Sequence, residues 1–176
     1  MTVNLEALTV QNQESEALFK LYRLSEREKL FWETWEESPG KHTVHWGQLG
    51  TRGHEKSVKS SLWNRAQKVI QAEIDGMVQQ GFQEVSLDDH VVLMIEYAVD
   101  GWGAENDLAK RHQLQNRMDE LLGWTGLGHC DGGSIGSGTM EVCNFVVDFE
   151  LAKRVIETDL VGSEFADYAR IYEETD

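Results

Sequence analysis

The alternation of apolar and polar side chains between residues 16 and 61 restricts this chain more than any other feature. In KLFWETWEE, residues 29–37, Leu30 and Trp32 fall on one face of an extended backbone, and Phe31, Glu33 and Trp35 on the other. A two-residue period belongs to strands, because successive side chains of a pleated chain point to opposite sides. Similar segments are EALFKLYRL (16–24), HTVHWGQLG (42–50) and EKSVKSS (55–61), with Ser38, Pro39 and Gly40 placed to turn the second strand into the third. The period then changes. Leu62, Ala66, Val69, Ile70 and Met77 recur at helical spacing, and Gly81 is a natural stop. A four-strand antiparallel sheet crossed by one long helix, from about Ser61 to Gln80, is the expectation.

After QEVSLDDH the pattern restarts. VVLMIEYAV (91–99) reads as a strand, GAENDLAKRHQLQNRMDELLG (103–123) as a helix, and TMEVCNFVVDF (139–149) as a strand. ELAKRVIETDL (150–160) reads as a helix and YARIYEE (168–174) as a last strand. One further strand between Trp124 and Ser134 would complete a ferredoxin-like βαββαβ order. The expected class is therefore α+β, with one unit at 1–88 and a second at 89–176. No Gly/Ser-rich linker separates them, so they are expected to pack together.

Charge narrows the range of partners. The chain carries a formal −15, and its distribution is uneven. Up to His90, ten basic residues face fourteen acidic ones, a balance of −4; beyond it six face seventeen, a balance of −11. Such a field repels polyanions, so any phosphate contact must be local. The start MTVNLEALTV lacks the basic and apolar regions of a signal peptide, and the longest aliphatic run, VVLMI at 91–95, is far too short to span a bilayer. A cytoplasmic protein without membrane contact is expected. Cys130 and Cys143 could form one bridge, but reduced thiols are the preferred reading in that compartment.

The stretch HTVHWGQLGTRGH (42–54) concentrates three of the six histidines. On a strand, His42, Val44 and Trp46 share a face while His45 points away, whereas zinc needs three or four converging ligands. No metal and no cofactor are expected, and the histidines read as partly solvated strand and turn residues. Gly47 allows a bulge or a close backbone approach. Gly50 and Gly53 bracket Thr51 and Arg52 in a tight turn expected to present Arg52 and its backbone amides outward.

Two features of the second half invite chemistry. The glycine-rich segment 131–138 could aim amides at an anion, but it lacks a Gly-Lys-Ser/Thr ending and leads into a strand, so a curved hairpin connection is preferred. His129, Cys130 and Asp131 are consecutive, yet adjacent side chains of an extended chain diverge; a base for Cys130 would have to come from elsewhere, with His112 as the candidate. Catalytic residues are not expected, and the protein is read as not an enzyme.

The residues FWETWEESPGKHTVHWGQLGTRGHEK, the amphipathic helix and the closing QQGFQEV together resemble a WGR domain, a small module of poly(ADP-ribose) polymerases and various bacterial proteins. The likeness covers about residues 16–85 and centres on the Trp-Gly pair and the Gly-Thr-basic-Gly turn. It implies a contact surface at Trp46, Gly47, Gln48, Gly50, Arg52 and Gly53. In polymerase members the signature Trp and Arg touch a DNA duplex end, and the module also docks against neighbouring domains. Here Gln48 stands where the family has arginine, which removes a positive charge and a bidentate phosphate contact. Trp46 is then either a core residue propping the turn or an exposed stacking surface.

The expectation is a non-enzymatic recognition module, with nucleic-acid ends as the partner implied by the resemblance and a protein partner as the alternative. Strand 139–149 carries Met140, Val142 and Val146 on one side and Cys143, Phe145, Val147 and Phe149 on the other, which predicts two buried faces. Helices would cover one; the first unit, a second copy in a homodimer, or a partner would cover the other.

Overall fold

The computed structural model describes residues 18–62 and 65–175, which hold two four-stranded antiparallel sheets and three α-helices, an α+β protein. Residues 16 and 17 of the first expected strand, and the N-terminal residues read for a signal peptide, lie outside the described residues.

The first sheet runs in chain order: β1 (Phe19–Leu24), β2 (Lys29–Ser38), β3 (Lys41–Gln48) and β4 (His54–Lys59). Its register sets Leu21 beside Trp32 and Trp32 beside Trp46, and in the next row Tyr22 beside Phe31 and Phe31 beside Gly47. The rows face opposite ways. Leu21, Trp32 and Val44 pack against Ile70 of helix α1 (Ala66–Gln79) and against Phe82 just beyond it. The helix begins at Ala66, later than the spacing of apolar residues predicts. The Ser60 hydroxyl accepts the Ala66 amide at 3.0 Å, and Leu62 is left almost fully exposed.

The second half forms β5 (Val91–Ala98), α2 (Glu105–Trp124), β6 (Gly128–Gly136), β7 (Thr139–Val146), α3 (Phe149–Leu160) and β8 (Arg170–Glu173), with sheet order β6-β7-β5-β8. Leu114, Met118 and Leu122 on α2, and Ala152, Ile156 and Leu160 on α3, recur every four residues, the spacing of one helix face. They close over Leu93, Ile95, Tyr97, Met140, Val142 and Val146. Phe149 opens α3 instead of ending β7, because the Asp148 carboxylate caps the helix by accepting the Leu151 amide at 3.0 Å.

Two buried faces on β7 are not found. Its inner face is fully buried, but Cys143 and Phe145 on the outer face are half-buried. Polar pairs knit that outer side: Arg170 to Glu96 at 2.6 Å, and the Tyr172 hydroxyl to Glu141 at 3.0 Å.

The two units share a core. Tyr22, Phe31 and Leu49 of the first belong to the same buried cluster as the interior of the second. Burying an aromatic or leucine side chain contributes roughly 1.5–3 kcal/mol, so this face of the first sheet is strongly held against its neighbour. The joint also carries an ion pair between Lys29 and Asp148. Thus α1 covers one face of the first sheet and the second unit covers the other.

Candidate functional site

The turn that ends β3 follows from its sequence. Thr51 returns its amide to the Gln48 carbonyl at 3.1 Å and its hydroxyl to the same oxygen at 2.7 Å. Gly47 and Gly53 bring the two limbs together: a Cβ on Gly47 would stand 2.6 Å from the Gly53 Cα, and one on Gly53 would stand 2.4 Å from the Trp46 carbonyl oxygen. Only residues without side chains fit that approach.

The amides of this turn are not all directed outward, in contrast to the sequence expectation. The Gly50 amide donates to the Thr125 carbonyl of the second unit at 2.9 Å, and Leu49 is buried at the joint. The Arg52 carbonyl accepts from His45 at 2.7 Å, while its exposed guanidinium lies 3.9 Å from the Glu120 carboxylate on α2. The six candidate residues therefore divide. Trp46, Gly47 and Gln48 line a cavity of about 340 Å³ beside Arg23 and Lys56, whereas Gly50 and Arg52 face the second unit and Gly53 backs the strand. Trp46 is partly buried against the α1 core, with His54 beside its ring and the Lys56 ammonium 5.6 Å from the ring centroid. Both cations near this cavity have carboxylate partners, Arg23 with Glu28 at 2.5 Å and Lys56 with Glu73 at 2.8 Å.

His45 holds a place that the sequence did not reveal. It is buried, not partly solvated, with Nδ1 2.7 Å from Glu33 Oε1 and Nε2 2.7 Å from the Arg52 carbonyl. Both partners are acceptors, so both bonds form together when each ring nitrogen carries a proton. Glu33 is buried as well and also meets the Lys20 ammonium at 3.0 Å. The imidazole lies edge-on to Phe31 and Trp124, with centroids 4.8 and 5.2 Å away, so it joins the two units. Glu33 and His45 occupy facing positions on the paired strands β2 and β3.

A larger cleft, about 700 Å³, opens at the joint. Lys20, Tyr22 and Trp35 line it from the first sheet, and Asp119, Glu120 and Trp124 from α2. The segment between the units adds Glu84 and His90, and β6 adds His129. Burial, with the Glu33 charge adding to it, holds the Tyr22 hydroxyl far above the ordinary tyrosine range, so it stays neutral. These residues come from separate parts of the chain, and no local motif marks them.

The remaining candidates are structural in setting. Segment 131–138 is mostly strand β6 and its turn into β7, with the Gly133 carbonyl accepting from Arg111 at 3.1 Å. Burial pushes the Cys130 thiol up to about 11, and its sulfur faces the Gly132 and Cys143 carbonyls. A thiol held neutral is a weak nucleophile. His112 contacts Arg111 on the exposed side of α2 and is not a partner of that sulfur. Among the described residues, no three His, Cys, Asp or Glu side chains group as metal ligands. No described helix is long and apolar enough to cross a membrane.

No family model, curated protein or solved structure matches this chain.

Proposed function

We propose that this protein is a non-enzymatic, cytoplasmic recognition module for a protein partner, built from a WGR-like unit docked on a ferredoxin-like one. The observation that carries this reading is the hydrogen bond from Gly50 to Thr125, which ties the signature turn to the second unit. With Leu49 buried and Arg52 near Glu120, the turn acts as an internal dock. The antiparallel order β6-β7-β5-β8 with two helices on one face supports the ferredoxin-like reading, and the shape of the first sheet with α1 supports the WGR-like one. The raised Cys130 pKa supports a role without thiol catalysis.

A second reading, contact with nucleic-acid ends, is favoured by the accessible Trp46 and Gln48 beside Arg23 and Lys56. Titrating the full chain with blunt duplex and single-stranded DNA at low salt separates the two. The protein reading expects no saturable DNA binding by the wild type. Binding to duplex ends that Trp46→Ala abolishes, that Gln48→Arg tightens by about 1–2 kcal/mol, and whose salt slope is only roughly −1 to −2 would establish the nucleic-acid reading instead.

A further inference from the structure

We infer that the cleft at the joint receives a basic side chain, arginine above lysine, from an extended segment of the partner protein; this rests on the protein-recognition reading above. The walls combine aromatic rings with carboxylates, the surroundings that hold an organic cation. Lys20 already shows such a seat in use. Its ammonium lies 3.0 Å from Glu33, 5.5 Å from the Tyr22 ring centroid and 5.9 Å from that of Phe31.

A second seat stands beside it. Trp35 and Trp124 meet nearly at right angles, 82°, with centroids 6.5 Å apart; the buried His45 ring stands edge-on to both from the core side, and no Lys or Arg lies over either ring among the described residues. Around them Glu84 and Asp119 have no ion-pair partner among the described residues, and Glu120 has only the distant Arg52. The cleft thus has more negative than positive charge. Arginine suits it better than lysine because a planar guanidinium stacks on an indole while its N–H groups reach carboxylates at the edge.

An extended backbone suits the same place. At the outer edge of β1, Tyr22 exchanges both backbone hydrogen bonds with Gln83, each 2.8 Å. By the two-residue period of a strand, Lys20 turns its own amide and carbonyl to that edge. A segment pairing there would lie along the mouth of the cleft and deliver alternate side chains into it. The chain's −15 would draw such a basic segment from a distance.

The experiment is calorimetric titration of the full-length protein with a blocked peptide of alternating valine and arginine, its lysine and glutamine versions, and N-acetylarginine amide. Saturable binding of the arginine peptide, weaker for lysine and at least tenfold weaker for glutamine, is expected. Combining Glu84→Gln with Asp119→Asn should lower affinity at least tenfold with Tm unchanged, while Glu73→Gln, on α1 away from the cleft, should have no effect. Absence of saturable binding at millimolar peptide, or binding indifferent to the double substitution, overturns the proposal. Equal affinity for N-acetylarginine amide and the peptide overturns the extended-segment part. Failure of the broader protein reading registers separately, as duplex-end binding in the DNA titration.

Discussion

Gly126 lies so close to Phe31 that a Cβ at this position would stand 2.4 Å from Cγ of the ring. The contact joins a loop of the second unit to the first part of β2 in the first, and it exists because residue 126 has no side chain. It also has φ +72°, a conformation that costs other residues roughly 1–2 kcal/mol. Adding the overpacking of a filled contact, Gly126→Ala should lose about 2–5 kcal/mol. Urea unfolding checks this, and adding Phe31→Leu should recover part of the loss.

The buried His45–Glu33 pair should show strong coupling. His45→Leu removes a hydrogen bond to a carboxylate and leaves the Arg52 carbonyl without its imidazole partner, at a cost of about 2–4 kcal/mol. Adding Glu33→Leu should cost less than the two single losses combined. A double-mutant cycle in chemical unfolding measures the difference, and strict additivity would refute coupling.

Asp148 ties acid stability to the joint. Burial alone would raise its pKa, but the Lys29 ammonium, the Leu151 amide and Arg154 outweigh that and lower it. A lowered folded pKa contributes stability that is complete above the unfolded value, near 3.9, and is lost as pH falls through the folded value. Asp148→Asn should therefore destabilise at pH 7 by roughly 0.5–1 kcal/mol, given the partial exposure of the pair, and the deficit should shrink below about pH 4. Asn retains helix capping, so Asp148→Ala should cost about 1 kcal/mol more. Thermal unfolding across pH 2–7 reads both.

Cys130 should resist alkylation. With its thiol pushed up to about 11, little thiolate exists at pH 8. Iodoacetamide followed by mass spectrometry should label it far more slowly in folded protein than in urea. Equal rates would contradict the assigned burial.

The strands of the first sheet were legible because Trp32 and Phe31, adjacent in sequence, need opposite faces, and only an extended chain provides them. Helix α3 was legible from the spacing of Ala152, Ile156 and Leu160. Strand β6 was hard to place because its glycines and serine carry no apolar alternation; its partner β7 defines it. The surroundings of His45 were hidden, since a histidine flanked by Val44 and Trp46 gives no sign of Glu33 across the sheet or Trp124 from a distant helix. For the same reason the cleft was invisible: its walls meet only after both units have docked. The Gly50 turn was recognisable as a turn, but the direction of its amide depends on Thr125, seventy-five residues along the chain by numbering.

The shared core has a consequence for synthesis. Phe31 emerges from the ribosome about 95 residues ahead of Gly126, a delay of roughly 5–20 s at ordinary translation rates. Once α1 has been made, 48 residues after Phe31, the first sheet has a helix for one side, but until Gly126 follows nothing shields Tyr22, Phe31 and Leu49 on the other. The nascent chain must therefore pass through a stage with an adhesive aromatic surface, when a holding chaperone has most to offer. A slower decoding rate between codons 60 and 125 would lengthen that stage and lower the yield of soluble protein without altering a single residue.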